Sequence, residues 1–408
     1  MRWRIAILAS VAIAISYLDR QTLPVAVKAI SGDIPLTNEQ FSTLQSAFLF
    51  AYALMYAGGG KVVDVLGTRQ GFTVAMLFWS LACASHALAS GFLMLAASRF
   101  LLGVGEGAGF PASTRAVAEC FTAQHRATAM GIINAGTAVG GIAAPLLIAG
   151  ILGVTNWRWI FVVTGVFGLF WVMWWRRWYG RAVGGEKAVS VSSETQFRWT
   201  HLFRMRETWG LMTAKFLSDA AWYFYLFWLP KYLYDARGFD VKAVGLFAWM
   251  PNAAAGIGCL LGGGFSSYLV RRKLSIGVAR KVALGLSALL MPFVILIPHS
   301  PVPWVIALFC LAYFGQQSWS TLVMVLPADL FPEAVVGSVA GLVGFGGAIG
   351  GIAFGQLVGY MLDHGSGYGT VFAIAGLLHV IAFLIILAAI PTMVPLGLER
   401  KLGYGGAQ

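Results

Sequence analysis

The chain has 408 residues, of which 59% are hydrophobic and 11% are charged, with a mean hydropathy of +0.77. A soluble globular domain carries about 25% charged residues, so a soluble fold is excluded and an all-α membrane protein is expected. The net charge of +12 does not mark a nucleic-acid partner, because the Lys and Arg residues cluster in short segments between apolar runs, where they set membrane topology.

A membrane-spanning helix needs about 20 mostly apolar residues, and twelve runs qualify, at about 4–27, 40–59, 72–91, 93–118, 127–153, 157–178, 208–234, 243–269, 279–298, 302–325, 336–360 and 369–391. The first run follows Arg2 and Arg4, as a signal peptide would. It is too long for one, lacks a small-residue cleavage site and carries Asp19 and Arg20. It is read as a retained first span. Adjacent helical residues point about 100° apart, so Asp19 and Arg20 address different neighbours, one a cavity and the other a helix. The planar fork of an arginine matches a carboxylate. This makes Arg20 the candidate anchor for a substrate carboxylate, with an interhelical salt bridge as the structural alternative.

Thr37 and Gln40 stand at capping-box spacing before the second run. Tyr52 falls near mid-span, where a hydroxyl needs a partner. The fourth run contains ASRFLLGVGEGAGFP, Ala97 to Pro111, with Arg99 and Glu106 on nearly the same helix face, about two turns apart. Charges at bilayer depth cost several kcal/mol unless paired or facing a polar cavity. The two residues therefore form either a structural ion pair or a substrate and proton site. In the second reading, a proton on Glu106 loosens its hold on Arg99. GVGEGA, from Gly103 to Ala108, fits a dinucleotide-binding pattern, but that pattern needs a preceding strand, and here it lies inside a helix.

In the fifth run Asn134 and Thr137 are polar positions, and Gly136, Gly140 and Gly141 suit close helix packing. A Gly/Ser-rich, then basic, linker at about 180–206 divides the chain into six-helix bundles, residues 1–179 and 207–408. The seventh run holds Asp219, Trp222 and Tyr223; the tenth holds Gln316, Gln317, Ser318 and Trp319. Aromatic faces and amides are what a sugar ring with vicinal hydroxyls requires. The glycine run Gly341 to Gly351 lacks the Lys-Ser/Thr end of a phosphate loop.

The halves echo each other. GGGKVVDVLGTRQG, Gly58 to Gly71, follows the second run, and GGGFSSYLVRRK, Gly262 to Lys273, follows the eighth. Repeated halves are a transporter architecture. With the N-terminus inside, the outer segments hold Lys28, Arg158, Lys231, Arg237 and Lys242, while most other Lys and Arg residues outside the spans, from Arg2 to Lys401, fall inside. Both termini are thus expected in the cytoplasm. Cys83, Cys120, Cys259 and Cys310 show no paired spacing, the six histidines show no metal-ligand spacing, and no nucleophile–base set marks an enzyme.

GKVVDVLGTRQG resembles the loop 2–3 signature of the major facilitator superfamily, through Gly60, Lys61, Asp64, Gly67 and Arg69. The second-half copy has Ser267 where an aspartate is usual. YLDRQTLPVA, with Ser16 in place of the usual Asn, and SRFLLGVGEGAGFPA resemble motifs of the anion:cation symporter family. FLSDAAWYFYLFWLPKYLYDARGFDVKAVGLFAWMP and VAGLVGFGGAIGG are similar to its hexuronate branch. The resemblance implies a proton-coupled symporter that imports a galacturonate- or glucuronate-like sugar acid by alternating access. It implies substrate contacts at Arg20 and Tyr52, proton coupling at Glu106 and secondarily Asp19, and gating by the loop 2–3 residues. Arg99, Asn134, Thr137, Trp222, Tyr223, Gln316, Gln317 and Trp319 complete the expected substrate site. The expected partners are the anionic sugar acid, protons and the lipid bilayer of an inner membrane. A functional monomer is expected, with no nucleic acid, metal or cofactor and the proton gradient as energy source. The alternatives are transport of an aldonate, an aldarate or phosphate, and a receptor that binds without transport.

Overall fold

The computed structural model describes residues 2–120, 123–182, 202–331 and 333–393, and every described element is helical. The elements are α1 (Arg2–Asp33), α2 (Asn38–Leu66), α3 (Thr68–Ser85), α4 (Phe92–Gly107), α5 (Gly109–Cys120), α6 (Ala123–Leu152), α7 (Trp157–Ala182), α8 (Arg206–Arg237), α9 (Val241–Phe247), α10 (Trp249–Arg271), α11 (Ile276–Leu289), α12 (Val302–Leu330), α13 (Glu333–Asp363) and α14 (Tyr368–Ala389). Among the described residues, nine stretches are long and apolar enough to cross a membrane. α2, α8 and α12 occupy the remaining predicted runs. In lipid, a helix satisfies its own backbone polar groups, which is why apolar runs of this length fold this way.

Three predicted runs are interrupted beside a proline, while the third run, at about 72–91, passes into a 3₁₀ turn, His86–Leu88, with no proline near it. The run at about 93–118 breaks at Ala108, between α4 and α5. Pro111 has no N–H to offer the Gly107 carbonyl, and its ring crowds that position. The eighth run breaks in the same way at Ala248, three residues before Pro251. The ninth run is helical to Leu289 and continues as a 3₁₀ stretch, Met291–His299, that contains Pro292 and Pro298. The capping box before α2 forms, with Gln40 N–H donating to Thr37 Oγ1 at 3.1 Å and Thr37 N–H donating to Gln40 Oε1 at 3.1 Å.

Each repeated segment contains one residue at positive φ. Gly67, between α2 and α3, has φ +75°, and Lys273, between α10 and α11, has φ +68°. The side chains of Gly60, Lys61 and Asp64 lie outside the described residues. Arg69 donates to the Arg176 carbonyl at 2.8 Å and so joins the start of α3 to α7. Ser267 donates to the Gly263 carbonyl in its own helix. Most of the linker expected at about 180–206 lies outside the described residues.

The chain packs as two compact units. Unit 1 comprises Met1–Val191, Phe224–Ala253 and Gly355–Ser366; unit 2 comprises Ser192–Tyr223, Ala254–Phe354 and Gly367–Gln408. In unit 1, α1 lies against α6, α2 against α4, and α3 against α7. The α3–α7 seam is aromatic: the rings of Trp171 and Trp175 stack at 5.0 Å, with Phe72 4.8 Å from Trp171. Unit 2 has its own apolar core, in which Leu211, Leu284, Trp319, Leu326, Val343 and Ile386 are almost completely buried.

Candidate functional site

The site in unit 1 is assembled by close helix approach. A Cβ on Gly103 would overlap the Phe48 carbonyl of α2, one on Gly107 would lie 2.5 Å from the Met55 Cβ of α2, and one on Gly105 would overlap Trp79 of α3. GVGEG is therefore a packing device, with glycines toward α2 and α3. Small residues let helix backbones meet where lipid supplies no hydrophobic drive. Between the glycines stand Val104 and Glu106, and Glu106 is turned toward α1.

Glu106 meets Arg20 there. Arg20 Nε lies 2.8 Å from Glu106 Oε2, and the pair is 4% and 0% exposed at the side chains. Ser16, one turn earlier on α1, donates its hydroxyl to the same oxygen at 2.6 Å. The guanidinium of Arg20 sits over aromatic rings, 4.4 Å from the Tyr52 centroid and 4.7 Å from that of Tyr17. Such contacts favour a cation held away from water.

The pairing of Glu106 with Arg99 expected from sequence is corrected. Arg99 Nη2 donates to Gln45 Oε1 on α2, and its guanidinium carbon lies 4.9 Å from the Phe48 ring centroid. Residues two turns apart share a helix face but are separated by roughly 10 Å along the axis. Each therefore meets whatever its neighbours offer at that level: Arg20 at the level of Glu106, Gln45 at the level of Arg99. Arg99 is 0% exposed, yet among the described residues its Nε and Nη1 have no hydrogen-bond partner. Glu106 Oε1 is likewise without a hydrogen bond. Phe48 lies beside both arginines, with its centroid 5.3 Å from the Arg20 guanidinium carbon.

Asp19 points elsewhere, as its position next to Arg20 requires. Its Oδ1 receives the Cys83 thiol of α3 at 3.4 Å, and Cys83 lies 3.2 Å from the Thr164 hydroxyl of α7. Asp19 is fully buried, and its Oδ2 has no hydrogen-bond partner among the described residues. On α6, Thr137 turns its hydroxyl back to the Asn134 carbonyl at 2.8 Å, and Asn134 is exposed.

A second polar cluster lies in unit 2. Lys215 Nζ is 2.9 Å from Asp219 Oδ1, one helical turn on, and donates to Ser320 Oγ of α12 at 2.8 Å. Gln316 Nε2 approaches Asp219 Oδ1 at 3.4 Å, while Gln316 Oε1 accepts from His379 Nε2 of α14. Both ends of the Gln316 amide are thus engaged within the protein. Trp222 packs edge-to-face on Tyr313 at 5.1 Å. Tyr223 lies against Gly351, and Asp219 against Gly347, so the glycine run of α13 seats α8 closely. Trp319 is 0% exposed within the apolar core of unit 2, its ring 5.6 Å from His379. Gln317 is half-buried.

Sequence reading missed Lys215, His379, Gln45, Cys83 and Thr164. Lys215 was findable, as a lysine four residues before an aspartate in an apolar run. The neutral partners carry no comparable signal.

A family model described as Major Facilitator Superfamily matches residues 9–355. The chain is 29% identical over 404 residues to the "Hexuronate transporter" of Escherichia coli strain K12, covering 95% of this chain and 93% of that one. It is 31% identical over 309 residues to the "Galacturonate transporter" of Dickeya chrysanthemi, covering 71% and 89% respectively. Its fold is similar to that of the E. coli xylose transporter in an inward-open conformation, with a TM-score of 0.74 and 16% identity, covering 96% of this chain and 97% of that one.

Proposed function

We propose that this chain, which belongs to the Major Facilitator Superfamily and is a multi-pass membrane transporter rather than an enzyme, carries a small sugar acid such as a hexuronate, coupled to protons. The names of its relatives support the substrate class: a hexuronate and a galacturonate transporter match most of the chain. The observation that carries the proposal is Arg99, fully buried with two of its three guanidinium nitrogens unbonded among the described residues. A buried guanidinium in that condition is costly unless it serves an anion.

The coupling follows from the neighbouring pair. With Glu106 ionised, Arg20 is occupied by it. A proton on Glu106 removes that charge, and Arg20 becomes available to a substrate carboxylate beside Arg99. Proton and sugar acid then bind together and are released together. Asp19, facing Cys83 and Thr164, is the second candidate proton carrier. Tyr52, on the face of Arg20, is placed to contact a sugar hydroxyl. Trp222, Tyr223 and Gln317 are the unit 2 candidates for the remaining ring contacts. Gln316 acts there through packing, because both ends of its amide are already engaged; Trp319 is buried in the apolar core, with its indole N–H lacking a hydrogen-bond partner among the described residues.

In this reading the bundles of residues 1–179 and 207–408 exchange access between the two sides of the cell membrane, with both termini cytoplasmic, the loop 2–3 residues gating and a monomer as the working unit. The test is uptake of labelled galacturonate by proteoliposomes under an inward proton gradient. Uphill uptake that collapses with the gradient is expected; uptake indifferent to the gradient removes the coupling. A thermal-shift screen of hexuronates, aldonates, aldarates and phosphate identifies the ligand, since a ligand bound to the folded state raises apparent stability.

A further inference from the structure

Within unit 1, the last turns of α13 lie along the first turns of α2, two segments far apart in the chain. Asp363, the final residue of α13, accepts from the backbone N–H of Asn38 at 3.0 Å, from Asn38 Nδ2 at 2.7 Å and from the backbone N–H of Glu39 at 2.7 Å. A carboxylate on the first N–H groups of a helix is doubly favoured, by charge-assisted hydrogen bonds and by the helix dipole. Two turns back along α13, Gln356 Nε2 donates to Ser46 Oγ of α2 at 2.9 Å. Between these contacts Gly359 sits flush on α2: a Cβ there would lie 2.9 Å from the Asn38 carbonyl oxygen, 2.9 Å from Ser42 Cβ and 3.1 Å from Glu39 Cα. A Cβ on Gly355, one turn earlier, would meet Ser42 Oγ at an ordinary 3.5 Å. Ser42 is 1% exposed at the centre of this contact.

We propose that Asp363 is a positioning residue for the transport cycle, a latch whose carboxylate holds α13 to the N-terminus of α2 and must let go before the end of the protein they close can open. The inference rests on the alternating-access reading, in which ends closed in one state separate in the other. α2 and α13 belong to different halves of the chain, so a contact that caps one helix with a side chain of the other must be broken when the halves part. Gly359 allows the flush seating, and Asp363 locks it.

The test requires neither a substrate nor a gradient, so it is independent of whether the sugar-acid assignment holds. Purified full-length Ser42→Cys protein is treated with a water-soluble maleimide in detergent, and the labelling rate at position 42 is read by peptide mass spectrometry. Adding Asp363→Ala should speed labelling about tenfold, the population shift equivalent to one hydrogen bond to a charged group. Asp363→Glu should restore most of the protection. Gly359→Ala should also speed labelling, whereas Gly355→Ala should leave it unchanged. If Asp363→Ala fails to fold, the Gly359→Ala and Gly355→Ala pair decides the matter. Equal labelling rates in the parent, Asp363→Ala and Gly359→Ala proteins would overturn the proposal. So would equal acceleration by both glycine substitutions, which would indicate general loosening.

Discussion

Replacing Glu106 by Gln tests the coupling directly. The carboxylate accepts from Arg20 Nε at 2.8 Å and from Ser16 Oγ at 2.6 Å, and the amide oxygen of Gln keeps an acceptor for both donors. What is lost is the charge. Two unit charges about 4 Å apart attract by about 4 kcal/mol at an effective dielectric of about 20, and desolvation of the pair offsets much of this. A residual of roughly 1–3 kcal/mol is what a substrate carboxylate must overcome to take Arg20 from an ionised Glu106. Removing that competitor should tighten galacturonate binding by about tenfold to a hundredfold at alkaline pH and flatten its pH dependence. Gradient-driven accumulation should disappear while exchange of substrate across the membrane continues. Calorimetric titration of the purified protein at two pH values, paired with counterflow and uphill uptake in proteoliposomes, reads both effects. Uphill accumulation by Glu106→Gln, or weaker binding at alkaline pH, would refute the assignment and move the proton to Asp19.

Three further outcomes follow from the same geometry. Arg99→Gln should weaken sugar-acid binding at least about tenfold while leaving the thermal midpoint equal or higher, because a buried charge with two guanidinium nitrogens unsatisfied among the described residues opposes folding; a lowered midpoint with unchanged affinity would make Arg99 structural. Gly103→Ala places a methyl group on the Phe48 carbonyl and should lower stability by about 1–3 kcal/mol, as overpacking does, measured as a fall in thermal midpoint; no fall would mean that α2 and α4 are less closely seated. Glu119 lies in the last turn of α5, past the apolar stretch Phe92–Val117 that is able to span a membrane. Its partial burial raises its carboxyl, but hydrogen bonds from Thr68, Tyr179 and Arg115 outweigh this and hold it below its ordinary value of 4.5. A depressed folded value stabilises above the ordinary carboxylate range, and that contribution is lost as pH falls through the folded value. The thermal midpoint should therefore drop more steeply on acidification in the parent than in Glu119→Gln, and equal slopes would remove the network from the stability account.

The sequence alone determined that the chain is a membrane protein built of apolar helices, because hydrophobic run length is a one-dimensional property. It also marked Asp19, Arg20, Arg99 and Glu106, because a charge in an apolar run is anomalous wherever it lies. It located the capping box at Thr37 and Gln40, whose contacts are local. It left open which charge meets which. Helical spacing put Arg99 and Glu106 on one face, but tertiary packing gave Glu106 to Arg20 and left Arg99 with Gln45. That choice depends on how the neighbouring helices seat against α4, where Gly103 and Gly107 admit α2 and Gly105 admits α3. The same holds for Gln316 and His379, and for Asp363 on the first turn of α2. Residues tens to hundreds of positions apart become partners through helix seating, and seating is decided by the shapes of both surfaces together.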